Sequence, residues 1–237
     1  MSKTLKTNKK LKYIHITKTA GTAVEELGNY NNIKWGRFDP DLKLLTNHLS
    51  YIQDGAFWHV PTIYYNIEIL KKIKKKYDFF VIVRNPYERV ISEFYCRWGG
   101  FQSKNFGSKS DIKITEPITN KQINKWIEFR LLHLSKLLEL KKYLINGHWI
   151  PQYLYIYNKN GSKIVKKNNI IHFENIKNEL DKLFSKYKLN ISYTEAPIIN
   201  KSNVEKSFKV KNLSKTNINL INQIYKNDFE LFGYSMI

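Results

Sequence analysis

The sequence predicts an α/β fold: a single domain with a central, mostly parallel sheet flanked by helices. Three observations carry this expectation. Short β-rich runs recur at Tyr13–Ile16, Phe79–Val83 and Asn169–Phe173, each followed by a helical pattern. The middle run is apolar at every position, as a strand buried on both faces requires. No internal repeat or linker composition interrupts the 237 residues, a length that suits one such domain.

Taken in order, residues 1–11 are basic and polar and are expected to form a disordered leader, leaving 12–237 as the folded domain. Strand one, Tyr13–Ile16, leads through a Lys/Thr/Gly turn into a helix from Thr22 to about Gly28. Residues 29–60 form a long aromatic connection with room for a short element at Leu42–Gln53. Thr62–Tyr77 reads as a helix, with Ile63, Ile67, Leu70 and Ile73 at helical spacing and lysines at its negative end. After Phe79–Val83, Asn85 is placed to cap, Pro86 to occupy the first helical position and Glu88 to complete a capping box, for a helix reaching about Trp98. Gly99–Thr119 has loop composition. Asn120–Ile145 carries the strongest apolar stripe, closed by Gly147 and Pro151. Tyr153–Tyr157 suggests a short strand, Ile176–Tyr187 a helix, and Ser214 or Thr216 the cap of a last helix running to about Asp228.

Forty Lys and Arg against twenty Asp and Glu give a formal net charge of +20, which points to an anionic partner. Part of that excess is Lys interspersed with Asn and Ile, a bias that an AT-rich genome also produces. The single cysteine, Cys96, excludes an intrachain disulfide framework and a zinc site built on cysteines. The polar start lacks the apolar core of a signal peptide, and no apolar run is long enough to span a bilayer. The expectation is a soluble, cytoplasmic protein.

Two strand–turn–helix junctions carry basic residues, Lys18 in the first and Arg84 in the second. Ligands of open parallel sheets bind beyond the carboxyl ends of the strands, where helix N-termini offer unpaired N–H groups and positive partial charge. Gly21 allows close approach of an anion, Lys18 adds a mobile charge, and Thr19 and Thr22 add hydroxyls. The spacing of a Walker A loop is absent. Ser92 lies two turns beyond Arg84, so the two together form a second candidate phosphate grip. For each residue the plainer alternative is structural: a solvated lysine, an Arg84 ion pair with Glu88 or Glu93, a Ser92 that fills a helix face.

Ile14-His15-Ile16-Thr17-Lys18-Thr19-Ala20-Gly21-Thr22 resembles the 5′-phosphosulfate loop of sulfotransferases, and Val83-Arg84-Asn85-Pro86-Tyr87-Glu88-Arg89-Val90-Ile91-Ser92 resembles that family's 3′-phosphate motif. Further likenesses follow in order: His148-Trp149-Ile150-Pro151-Gln152, Phe173-Glu174-Asn175-Ile176, Asn200-Lys201-Ser202 and Asp228–Tyr234. The resemblance spans about residues 12–234 and is nearest the branch of bacterial, viral and Golgi carbohydrate sulfotransferases. Two positions depart from the pattern: Thr17 stands where proline is usual, and Ala23 where a hydroxyl residue is common.

The resemblance implies a P-loop-like architecture and transfer of a sulfuryl group from 3′-phosphoadenosine 5′-phosphosulfate (PAPS) to a hydroxyl or amine, leaving adenosine 3′,5′-bisphosphate (PAP), without a metal. It implies Lys18 at the bridging oxygen; Lys18, Thr19, Ala20, Gly21, Thr22 and Ala23 around the 5′-phosphate; Arg84 and Ser92 on the 3′-phosphate; and Lys201 over the cofactor. His59, 25 residues before Arg84, is the first choice for the base, with His48 the competitor. His15 lies within strand one and reads as a packed core histidine. His148 and Gln152 are candidates for contact with the acceptor, expected to be a glycan. A kinase-like phosphotransferase lacks its Walker A loop here, and a nucleic-acid-binding protein lacks a recognisable motif.

Overall fold

Tyr77–Val83 (β2) is the central strand of a three-stranded parallel sheet, between Lys10–Ile14 (β1) and Val165–His172 (β3). β1 pairs in the register Lys10↔Tyr77 to Ile14↔Val81, and β3 pairs Ile170 with Val81 and His172 with Val83. Phe79 to Val83 are all essentially inaccessible to solvent. An uninterrupted apolar run becomes the strand with neighbours on both edges and packing on both faces.

The computed structural model describes residues 9–49, 56–103, 114–139, 147–197 and 207–237. Its backbone falls into two units: Met1–Val83 with Leu154–Ile199, and Arg84–Tyr153 with Asn200–Ile237. No helix among the described residues is long and apolar enough to cross a membrane.

Among the described residues, the first unit holds the sheet and four α-helices: Gly21–Tyr30 (α1), Pro40–Thr46 (α2), Ile67–Lys76 (α3) and Ile176–Lys186, which in chain order becomes α6. Leu11, Tyr13, Val24, Leu27, Trp35 and Phe80 form one core with Leu180, Leu183 and Phe184. The second unit holds Pro86–Phe94 (α4), Asn120–Glu139 (α5), Lys215–Ile224 (α7) and Lys226–Phe232 (α8). Its core joins Val90, Phe94, Trp126, Leu131 and Trp149 to Ile221, Tyr225 and Phe229. Ile123, Trp126, Ile127, Leu131 and Leu134 are the buried stripe that the spacing in α5 predicts.

Several boundaries differ from the sequence reading for local reasons. β1 starts at Lys10, inside the stretch read as a leader, and ends at Ile14, so His15 and Ile16 lie beyond it. The polar look of the chain here misleads because Leu11 is buried and so is the lysine that follows it, Lys12, whose Nζ lies 2.6 Å from Asp39 and 2.8 Å from Asp41. The helix read over Thr62–Tyr77 is a 3-10 turn, Thr62–Tyr64, followed by α3, because Asn66 interrupts it and caps α3 by accepting from Glu68 and Ile69 N–H. Asn85 caps α4 through Tyr87 N–H, but Glu88 turns to Arg84 instead of closing a capping box, and the helix stops at Phe94. Gln152–Tyr155 is a 3-10 turn, not part of the strand that Tyr153–Tyr157 suggests, and Tyr157 makes an antiparallel bridge to Lys163. The last helix breaks at Tyr225 into α7, capped by Ser214, and α8.

Candidate active site

In the first unit, β1 runs through Thr17-Lys18-Thr19-Ala20 into α1. Lys18 has φ 64° and Ala20 φ 67°, two left-handed non-glycine residues separated by one that is not. Such residues cost on the order of 1 kcal/mol each, and left-handed residues in such turns are a feature of the backbone concavities that bind anions through successive N–H groups. Thr17, Thr19 and Gly21 are buried, while Lys18, Ala20, Thr22 and Ala23 are partly exposed. No side chain caps α1, and its first turn has no acidic residue, which leaves its positive end for an anion.

Two of the donors read from the sequence point elsewhere. Thr19 Oγ1 donates to Ile16 carbonyl at 2.7 Å, pinning the turn, and Ala23 N–H donates to Ala20 carbonyl at 3.1 Å. The exposed side of the loop is therefore left to Lys18, the Thr22 hydroxyl and the first N–H groups of α1. Gly21 is small for a reason other than the anion: a Cβ there would stand 1.9 Å from Nε2 of His15.

In the second unit, Arg84 follows β2 directly and precedes α4. Its backbone is held from both sides by Gln152, whose Oε1 accepts from Arg84 N–H at 2.9 Å and whose Nε2 donates to Arg84 carbonyl at 2.8 Å. Gln152 is fully buried and is fixed in turn by Asp228, which accepts from its backbone N–H at 2.8 Å. Gln152 thus positions Arg84, with its amide turned to backbone. Burial pushes the Asp228 carboxyl up to about 6, against the N–H groups of Gln152 and Tyr153 that favour its charge. Arg84 pairs with a half-exposed Glu88, 3.5 Å away. Such a pair contributes about 0–1 kcal/mol, little enough for a phosphate to displace. Ser92 is buried on α4.

A model of the sulfotransferase family matches residues 4–235. The chain belongs to the sulfotransferase family. Neither a search of curated proteins nor one of solved structures finds a match.

The remaining candidates of this sulfotransferase fall in different surroundings. His59, on the 3-10 turn Phe57–His59, is half-buried; its carbonyl accepts from Tyr155 Oη at 2.9 Å, and its ring meets that of His15 edge to face, centroids 4.4 Å apart. His48 is exposed just past the end of α2. His148 is buried with Nδ1 2.7 Å from Glu93. Lys201 lies outside the described residues.

Sequence reasoning missed two groupings. Glu25, fully buried on α1, lies 2.7 Å from His15 Nδ1 and accepts from Arg37 N–H at 3.0 Å. Ten residues separate His15 from Glu25 with no motif linking them. Glu93, Cys96 and His148 bring one donor atom each within 4.8 Å of one another, a grouping that spacing along the chain does not show. Arg89, itself buried, stands 3.7 Å from Glu93, and Glu93 also acts on the buried Arg130 guanidinium. Cationic neighbours on that carboxylate disfavour a divalent ion and mark the group as a buried charge network.

Proposed function

We propose that this sulfotransferase uses PAPS as donor and a glycan hydroxyl as acceptor. The observation that carries the reading is the pair of helix N-termini, each following a strand and each provided with a cation, at the two positions where the sequence carries the family's phosphate motifs. In the first unit, Lys18, the Thr22 hydroxyl and the N–H groups from Thr19 to Thr22 take the 5′-phosphosulfate. In the second, Arg84 and Ser92 take the 3′-phosphate.

In the in-line step the acceptor oxygen forms a bond to sulfur while the bond from sulfur to the bridging oxygen breaks, its electron pair leaving on the 5′-phosphate of PAP. The Lys18 ammonium stabilises that developing charge more than the ground state. His59 takes the acceptor proton. Its half-buried place beside a second imidazole favours it over the exposed His48. The net charge of +20 suits an acidic glycan chain, and Trp58, its ring 5.4 Å from that of His59, offers a face for a sugar.

The test is calorimetric titration with PAP. Wild type binds, Arg84→Ala loses on the order of tenfold or more in affinity, and His59→Ala binds as wild type but does not transfer label from PAPS to a desulfated glycosaminoglycan. A folded wild type that does not bind PAP removes the donor assignment.

A further inference from the structure

We infer that His15 and Glu25 form a positioning pair for His59, the carboxylate orienting one imidazole and that imidazole orienting the next. The inference rests on the reading of His59 as base and adds two groups to it, all within the first unit.

Glu25 has 1% of its surface exposed, and among the described residues its polar neighbours are His15 Nδ1 at 2.7 Å, Arg37 N–H at 3.0 Å and Arg37 Nε at 3.8 Å. A carboxylate at this depth is costly without a purpose for its charge, and two glycines make room for the arrangement. At Gly36, φ is +56° and a Cβ would stand 1.9 Å from Glu25 Oε1; at Gly21 a Cβ would strike the His15 ring. Tethering α1 to the chain after β1 needs neither a carboxylate nor an imidazole, since an apolar pair fills such a gap at less cost.

Glu25 accepts the Nδ1 proton of His15, which fixes the ring's tautomer and tilt. That ring abuts the first residue of α1 and meets His59 at 89°, centroids 4.4 Å apart. Tyr13 also stacks on His15, with centroids 5.8 Å apart. Among the described residues, the titratable groups around the pair are Tyr13 from β1, with Tyr193 acting on it in turn, Arg37 from the turn Gly36–Phe38 and His59 itself. The negative charge of Glu25 is felt nearby, since it adds to the burial that raises the Tyr13 hydroxyl. By the same sign it stabilises the imidazolium that forms when His59 takes a proton, while the His15 ring holds His59 in one orientation.

The experiment is NMR titration of the histidine rings, with and without PAP, in wild type, Glu25→Gln and His15→Asn, with His59→Asn to assign the signal. Glu25→Gln keeps the shape and the acceptor oxygen but removes the charge. The His59 midpoint is expected to fall by roughly half to one pH unit. In PAPS-to-glycan transfer, the acid limb of kcat is expected to move down with it at unchanged KM. His15→Asn keeps a donor toward Glu25 but removes the ring. The His59 15N shifts are then expected to pass from one tautomer to a mixture. A His59 midpoint that stays put in Glu25→Gln, or an unchanged tautomer in His15→Asn, overturns the inference. PAP affinity, measured on the same samples, tests the donor assignment separately, because the titrations without PAP do not depend on it.

Discussion

A methyl group added at Gly21 would stand 1.9 Å from His15 Nε2. Alanine at a helix position is favoured over glycine by about 1 kcal/mol. Overpacking costs about 1–3 kcal/mol when neighbours cannot move, and His15 is held by Glu25 at 2.7 Å. The clash outweighs the gain, so Gly21→Ala is expected to lower stability in urea by up to about 2 kcal/mol and to displace His15 from His59, visible as a changed ring shift. A gain in stability would show that the loop yields freely. At this scale the sequence shows which residues carry charge, but not which way a hydroxyl turns. Thr19 reads as a phosphate donor, and its Oγ1 bonds Ile16 carbonyl instead. His15 reads as core, and its burial is real, yet a buried carboxylate ten residues on gives it a polar partner.

Among the elements, α4 is the most fully specified by its own sequence. Asn85 accepts from Tyr87 N–H at 3.0 Å, Pro86 fills the first position, and β2 delivers the chain straight into the cap. Asn85→Ala is expected to cost about 1 kcal/mol, the worth of a cap, and to lower the melting temperature by roughly 2–4 °C at this size. PAP affinity is expected to fall with it, because the cap orients the turn that carries Arg84. An unchanged melting temperature would mean that Gln152 alone fixes the turn. Other elements are legible in kind but not in extent. Period and composition placed α3, α5 and α6 near their positions, whereas the break at Asn66 and the split at Tyr225 depend on which backbone N–H found a partner.

Across the whole molecule, Asp228 couples stability to pH. Its folded pKa of about 6 lies above an unfolded value of roughly 3.9, so the native state binds more protons between them. The contribution of this group is therefore most favourable below about pH 4 and falls as pH rises to about 6, by roughly 2–3 kcal/mol, then stays level. Asp228→Asn is expected to remove that slope relative to wild type in urea denaturation at pH 4.5 and 7. It is also expected to cost about 1–3 kcal/mol, because the N–H groups of Gln152 and Tyr153 reach different carboxylate oxygens and in the amide one of them faces an NH2 donor. Parallel slopes in the two proteins would place the titration elsewhere.

The sequence by itself determined the α/β class, the buried central strand, the two strand–turn–helix junctions and the family. Each of these is written in contiguous residues: apolar runs, a cap next to its proline, a Lys/Thr/Gly turn. Only the tertiary structure decided that Lys12 is buried against Asp39 and paired with Asp41, that Gln152 clamps Arg84, and that Glu25 stands behind His15 with His59 edge-on. Those contacts join residues ten to seventy positions apart. A buried polar group must find its partner wherever the chain brings one, and no local period records where that is.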